Sequence, residues 1–445
     1  MRVLFTTWAW PSHFFPMVPL AWAMRTAGHD VRVASQPELA PSMLGSGLPS
    51  VVVGRDLDLA AHHRRASEHL RSAKPPVPAG ARRQPEFIAV AKAVQATRLP
   101  TQRRGLSLYG EVAEVMADDL VAYARRWRPD LVVFDALTFA GPLAAKAIGV
   151  PAVRHLFGPD VSYFTLPLEN DLLGPVVERF GLDEVSLLGA VSVDPCPPSL
   201  QFAADVAPVA RMPMRFVPYH GLCEVPRWVW QRPERPRICL TWGTSTARLV
   251  GDHAFLPAAL VRAGAKLAAE RGAELVLAIT AAQRQLLPEL PDGVRVAESV
   301  PLQALLPTCE LVVHQGGAGG MLTGVLCGLP QLVVPQLPDQ MQNANHLAAS
   351  GAGLNLHLDE ADAAAVYAAG RRLLDEPSFA EAARRLRRET LDLPGPADLV
   401  DDLVALAEGE LAPPPQPKPV WTGEMLRLPF EEYLQTLREA NQRSE

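Results

Sequence analysis

The sequence predicts an α/β protein built as two doubly wound halves, each a parallel sheet with helices packed on it. Three observations carry that expectation. From the N-terminus to about residue 155, short apolar runs alternate with helical segments, the rhythm of a parallel sheet with crossover helices. The alternation breaks where Pro218, Pro226, Pro233 and Pro236 punctuate the chain, and it restarts near residue 238. The length, 445 residues, suits two or three domains rather than one.

Taken in order, residues 3–6 form the first strand and an aromatic-rich loop, 7–15, follows. A helix over 16–27 has Pro16 in its first turn and Gly28 just past its end. Strands are expected over 30–34 and 50–53. Residues 56–110 are less readable: arginine, proline and histidine crowd 61–85, read as a mobile loop over a cleft with helices after it, or as a plain surface excursion. Strand 131–134, helix 138–148 and strand 152–155 resume the rhythm. In the second half strands are expected at 238–241, 275–279, 294–297, 311–313 and 331–334, and a helix at 397–406. A proline-rich link from Pro413 to Pro419 then leads to 430–441, where Phe430, Tyr433, Leu434 and Leu437 recur at helical spacing. That segment is expected to dock across the first half, with a partner-binding tail as the alternative. No fixed-period repeat is present.

Composition narrows the class. Hydrophobic residues make up 48% and charged residues 20%, ordinary for a soluble globular enzyme. A net charge of −6 gives no general electrostatic reason to bind nucleic acid or an anionic membrane. Five lysines against 37 arginines, with 43 prolines, point to a GC-rich genome. Cys196, Cys223, Cys239, Cys309 and Cys327 are scattered, odd in number and without a C-x-x-C pair. Neither a zinc site nor a disulfide framework is indicated, and a reducing cytoplasm fits best. No basic-then-apolar leader opens the chain, and no apolar run reaches the roughly 20 residues needed to span a bilayer.

Candidate chemistry is densest at 314–343. A short apolar strand delivers His314, and Gln315, Gly316, Gly317, Ala318, Gly319 and Gly320 follow as a glycine-rich turn with a helix starting at once. Such a turn lets backbone N–H groups and the positive end of a helix dipole approach a phosphate; the histidine can add a hydrogen bond or a charge. A second strand leads to Asp339 and Gln340, a carboxylate and an amide suited to sugar hydroxyls. Diphosphate at one end and sugar at the other describe a nucleotide-sugar site, although glycine turns also serve plain helix-on-sheet packing. In the first half His13 follows the first strand, at the sheet edge where ligands bind in open α/β folds. Asp135 ends another strand of that sheet, where it can orient His13 or cap the next helix. Gly243, Thr244 and Ser245 follow a strand of the second half and read as a phosphate loop or a polar turn. Trp8, Trp10, Phe14 and Phe15 near His13 suit a flat or greasy acceptor, and packing alone also accounts for aromatics there; Phe134 and Phe157 are weaker candidates.

The stretch from His314 to Asn343 resembles the donor signature of nucleotide-sugar glycosyltransferases with the GT-B fold, two facing Rossmann-like domains of the UDP-glycosyltransferase-like superfamily. The nearest likeness is to the bacterial antibiotic glycosyltransferases that decorate macrolides and aromatic polyketides, and it runs over roughly residues 1–407. Residues 216–221 and 226–229 resemble that family's interdomain linker. The resemblance implies an acceptor-binding domain (1–215), a linker (216–236), a nucleotide-sugar domain (237–394), a helix returning to the first domain (395–408) and an atypical extension (409–445). It makes Ser12 and His13 the catalytic histidine position, continued by 18–21, and Asp135 its partner. His314, the turn after it and residues 243–245 would hold the diphosphate; Val300 and Leu302 would pack on the base; Asp339 and Gln340 would grip the sugar.

Three departures stand out: Gly320 where the family has threonine or serine, Gln315 for a second histidine, and Glu298 and Ser299 where an aromatic residue is common. The implied activity is inverting, metal-independent transfer of a deoxysugar from a nucleoside-diphosphate donor, expected to be dTDP-linked, to a polyketide-like aglycone. No cofactor beyond that co-substrate and no metal are expected, since the helix end and His314 would do a metal's work. The D-x-D triplet at Asp56 and Asp58 lies in the wrong half for one. The expected partners are the two small molecules, with room for a homodimer and for a helper protein. A nucleotide-sugar epimerase and a non-catalytic binding or activator subunit are the alternatives, the second hinted at by Gly320 and the extension.

Overall fold

The computed structural model describes residues 1–59, 98–161, 169–202, 209–245, 258–287 and 289–412. The expected loop at 61–85 and the segment 430–441 lie outside them. Seven strands form the first sheet: β1 (Arg2–Thr6), β2 (Asp30–Ser35), β3 (Ser50–Val52), β4 (Leu131–Asp135), β5 (Ala152–His155), β6 (Val191–Asp194) and β7 (Arg211–Pro213). All pairings are parallel and the order is β3-β2-β1-β4-β5-β6-β7. Every residue of β4 is buried, which is why it reads as an unbroken apolar run: helices cover both faces of a parallel sheet. The second sheet holds β8 (Arg237–Thr241), β9 (Glu274–Ile279), β10 (Val294–Glu298), β11 (Cys309–His314), β12 (Gln331–Val333) and β13 (Gly353–Asn355), again all parallel, in the order β10-β9-β8-β11-β12-β13.

Both sheets therefore reverse direction once, between β1 and β4 and between β8 and β11. At such a reversal the loops leave to opposite faces and open a crevice at the carboxyl ends of the strands. His13 and Asp135 follow or end the strands of the first crevice, and Ser245 and His314 those of the second.

The helices that matter are α1 (Pro11–Phe14), α2 (Val18–Thr26), α3 (Arg98–Trp127), α4 (Ala140–Ile148), α5 (Ala258–Glu270), α6 (Ala318–Cys327), α7 (Pro338–Ala349), α8 (Ala363–Asp375), α9 (Pro377–Leu391) and α10 (Val400–Glu408). The expected single helix at 16–27 is broken into α1, a 3₁₀ turn (Phe15–Met17) and α2. Pro11, Pro16 and Pro19 each start a turn well and cannot continue one, so the segment restarts at each proline. Helical structure thus begins inside the expected loop 7–15. Strands β6, β7 and β13 went unanticipated because Val191–Asp194, Arg211–Pro213 and Gly353–Asn355 present no continuous apolar run. Such segments owe their conformation to a neighbouring strand.

On one face of the first sheet α3 packs Val112, Met116 and Leu120 with α4's Leu143. On the other, α10 brings Leu403 and Leu406 into the cluster of Phe14, Met17 and Val18. Burying each leucine stabilises that return by about 1.5–3 kcal/mol. The second sheet is covered by α5 and α8 on one side. Below the cleft the halves share an apolar seam, where Cys196, Leu200 and Phe216 meet Met321, Leu322 and Val325 of α6 and Leu347 of α7. Among the described residues no helix is long and apolar enough to cross a membrane.

Candidate active site

β1 ends at Thr6 and α1 opens at Pro11, which lifts His13 to the carboxyl edge of β4. There His13 Nδ1 lies 2.8 Å from Asp135 Oδ1, both residues buried. A carboxylate only accepts, so Nδ1 carries the proton, and in the neutral ring the lone pair is on Nε2. The other oxygen, Oδ2, accepts from Thr138 Oγ1 at 2.8 Å and from the Leu137 N–H at 3.2 Å. One oxygen of Asp135 thus orients the imidazole and the other holds the turn at 136–138; it does not cap α4, whose cap residue is Phe139 with no side-chain cap bond. Phe157 closes another side of the imidazole at 4.3 Å between centroids. Its loop is held by the buried pair Arg154 and Asp160 (2.5 Å) and by Gln201 Oε1, which accepts the Asp160 N–H. His155, beside Asp135 in the sheet, is buried and its pKa falls to about 4, so the imidazole is neutral.

Trp8 and Trp10 lie flat on one another, 4.8 Å apart, and the Trp8 ring meets His13 edge-on at 5.4 Å. Phe14 and Phe15 do not join them. Phe14 is buried under the sheet with Val3, Phe5 and Met17, and Phe15 packs on Tyr219 and Gly221 of the linker. The reason is helical: successive residues of α1 point about 100° apart, so a helix that turns His13 to the cleft turns Phe14 to the core. Their assignment to the acceptor is therefore corrected. Phe134 is likewise buried, against Gly141 and Gly189.

On the other side, Gly316 adopts φ +92°, and a Cβ there would lie 2.8 Å from Val333 Cγ1 and 2.9 Å from Gln340 O. Only glycine makes this turn. His314 braces it: Nδ1 accepts the Gly316 N–H at 2.9 Å, and Nε2 lies 2.8 Å from Gln331 Oε1. The ring is buried and its pKa falls to about 4, so it is neutral. The expected hydrogen bond or charge from His314 to a phosphate is corrected on this geometry, because both nitrogens already serve the protein. What faces the cleft is α6 itself. Its cap residue Gly317 has no side chain to satisfy the first N–H groups, and a Cβ on Gly319 or Gly320 would meet no heavy atom within 4 Å. An uncapped ten-residue helix with open space at its start is suited to an anion.

The turn is held by a neutral amide scaffold that the sequence reading overlooked. Gln283 Nε2 donates to Gly243 O, and Gln315 fills the space a Cβ on Gly243 would take. Gln336 Oε1 accepts from the Trp242 indole at 3.0 Å. Gln340 Oε1 accepts from the Gln336 and Leu337 N–H groups, and Asn343 donates to Gly316 O at 2.7 Å. Uncharged amides fix the loops without adding an anion beside the one the helix would bind. The available signal was their density, since residues 331–343 alone hold Gln331, Gln336, Gln340, Gln342 and Asn343. For Gln340 this means that its carbonyl oxygen is spent on the turn before α7. Ser245 faces Trp10 and Ser12 of the first half, while Thr244 is exposed. Val300 and Leu302 pack on a cluster with Ala297 and Leu305, to which Trp228 is also brought; the Trp228 ring carries Arg237 and Arg295 over it.

Asp339 joins the halves. Burial pushes its carboxyl up, opposed by the backbone N–H groups of Asp339 and Gln340 and by the charge that His13 carries when it is protonated. Tyr109 of α3, edge-on to Trp8 at 5.6 Å, is the other residue missed, lost in the unreadable span. Burial first, then the charges of Asp339 and Asp135, hold its phenol protonated. The imidazole, the carboxylates and the phenol thus lie within electrostatic reach of one another. Among the described residues no three His, Cys, Asp or Glu side chains gather to hold a metal ion, and Asp56 accepts the Glu38 N–H instead.

Residues 22–243 match the family Erythromycin biosynthesis protein CIII-like, N-terminal domain, and 265–406 its C-terminal domain. The aclacinomycin-T 2-deoxy-L-fucose transferase of Streptomyces galilaeus is 38% identical over 431 residues, 90% of this chain and 94% of its own length. The 10-deoxymethynolide desosaminyltransferase of Streptomyces venezuelae is 37% identical over 435 residues, covering 93% and 99%. The glycosyltransferase VinC, solved in complex with dTDP, has a TM-score of 0.73 at 34% identity, over 92% of this chain and all of VinC (100%). Two parallel-sheet domains meeting at their crevices, with this kinship, define a GT-B glycosyltransferase. The chain belongs to the Erythromycin biosynthesis protein CIII-like family, the glycosyltransferases of antibiotic biosynthesis. The epimerase and the catalytically silent subunit are thereby set aside.

Proposed function

We propose that this chain moves a deoxysugar from a dTDP donor to a hydroxyl of a polyketide-type aglycone, by one inverting displacement and without a metal. The observation that carries the reading is the Asp135-held His13 at one crevice and the uncapped start of α6 at the other, with Asp339 in electrostatic reach of the imidazole. Nε2 of His13 takes the proton of the acceptor hydroxyl, and Asp135 stabilises the imidazolium that results. The acceptor oxygen bonds to the anomeric carbon from the side away from the diphosphate as the bond to the diphosphate breaks. The leaving charge falls on the N–H groups that open α6. Asp339 and the amide of Gln340 would hold the sugar, Val300 and Leu302 the base, and Trp8 and Trp10 one wall of the acceptor site.

The kind of substrate is supported by the relatives, one an aclacinomycin-T 2-deoxy-L-fucose transferase, one a 10-deoxymethynolide desosaminyltransferase, and VinC with dTDP bound. Five free cysteines support a reducing cytoplasm as the setting. The test is incubation with a panel of dTDP-deoxysugars and polyketide aglycones in the presence of EDTA, with products read by mass and by the anomeric proton coupling. A glycoside of inverted configuration formed in EDTA is expected. Retention of configuration, or activity that EDTA abolishes and a divalent ion restores, sinks the reading.

A further inference from the structure

Ser245 lies in the loop after β8, on the donor side of the cleft. Its hydroxyl is 3.1 Å from Nε1 of Trp10 and 3.2 Å from Oγ of Ser12, both on the acceptor side. An indole N–H only donates, so Ser245 accepts from Trp10 and its own proton is left for Ser12. Those two residues bracket Pro11, the first residue of α1, and His13 comes next. The carbonyl of Trp10 accepts the N–H groups of His13 and Phe14 at 3.0 and 3.1 Å. Trp10 therefore receives the bond from the donor side and holds the turn that carries the base. It also stacks on Trp8, which abuts the imidazole.

A second close approach flanks the first. A Cβ on Gly158 would lie 2.6 Å from Cβ of Ala318, the first residue of α6. Gly158 follows Phe157, whose ring covers His13. The donor loop and the donor helix thus each touch the acceptor domain one residue from a group that supports the base.

We propose that Ser245 is a positioning residue: by bonding Trp10 and Ser12 it couples the seating of a nucleoside diphosphate, at residues 243–245 and the start of α6, to the placement of His13. This rests on the donor reading given above. Occupation of the donor site settles the base.

The test compares the full chain with Trp10→Phe, Ser245→Ala and Ser245→Thr, using dTDP as the probe. Trp10→Phe keeps a ring on Trp8, removes the N–H and lies opposite the glycine turn, so a change in its dTDP affinity reports coupling and not a lost phosphate contact. Calorimetry gives the affinity, and hydrogen exchange of the amides at 11–14, with and without dTDP, gives the placement of the base. Loss of the bond should weaken dTDP about three- to tenfold in Trp10→Phe and Ser245→Ala, the worth of one hydrogen bond. It should also abolish dTDP-induced protection at 11–14. Ser245→Thr should retain both. If Trp10→Phe fails to fold, Ser12→Ala at its exposed position serves the same comparison. A folded Trp10→Phe chain that binds dTDP as the parent does, with the same protection, overturns the proposal. A parent chain that does not bind dTDP overturns the donor reading and the coupling with it.

Discussion

His13 and Asp135 stand 122 residues apart in the chain and 2.8 Å apart in space. Each was legible singly, because a polar residue at the carboxyl end of an apolar strand lies at the ligand edge of a doubly wound sheet. Their pairing follows from β1 and β4 being neighbours. His13→Ala should lower turnover by about 10²–10⁴-fold, the usual worth of a general base, while dTDP affinity measured by calorimetry stays at the parent level. Turnover near the parent value with chemistry limiting would remove His13 from the mechanism. His314 shows the opposite case. Its place in a glycine-rich motif was plain, but its work was not, because Gln331, which takes Nε2, comes from the next strand.

Among the elements, α6 carries the clearest consequence. Its start is uncapped, and Gly320 stands in open space where the family commonly has a hydroxyl. Gly320→Thr should therefore fit without displacing anything and add one donor beside the helix N-terminus. The accompanying gain in helix propensity is small, roughly 0.3 kcal/mol, because β-branched threonine is itself a weak helix former. We expect tighter dTDP binding in a titration, by about two- to tenfold for one added hydrogen bond; unchanged or weaker binding would place the diphosphate elsewhere. Most strands were legible as apolar runs, whereas the breaking of 16–27 depended on weighing three prolines against one helical pattern. The amide scaffold was hidden for another reason: glutamines report nothing about their partners until the loops of both ends of a sheet are in place.

For the whole molecule, burial of two neutral imidazoles sets an acid limit. His155 and His314 each have a pKa near 4 when folded, against 6.5 when free in the unfolded chain. Between those values the unfolded state binds more protons than the folded one, so stability falls as pH drops from about 6.5 to about 4 and is fully present above 6.5. The loss approaches roughly 3 kcal/mol for each histidine at the acid end. Urea unfolding at pH 7.0, 5.5 and 4.5 should show that decline, and His155→Gln should make it shallower. A profile for the parent chain that is flat over this range would contradict the burial. At this scale the two halves are held by the seam at Phe216, by α10 and by the Arg215 N–H bonded to Pro394 O at 2.6 Å.

By itself the sequence determined what depends on near neighbours: apolar runs as buried strands, prolines at helix starts, a glycine-rich turn after His314, and the likeness of residues 314–343 to a donor signature. It therefore yielded the two-sheet architecture and both edges of the site. The tertiary structure decided what depends on which strands adjoin and which loops face one another. It sent Phe14 and Phe15 to the core and the linker, gave both nitrogens of His314 to the protein, brought Tyr109 beside Asp339, and set Ser245 against Trp10, 235 residues earlier. The physical reason is that propensity and periodicity act over a few residues, whereas a hydrogen bond between distant side chains exists only once the sheet order has placed both ends of it.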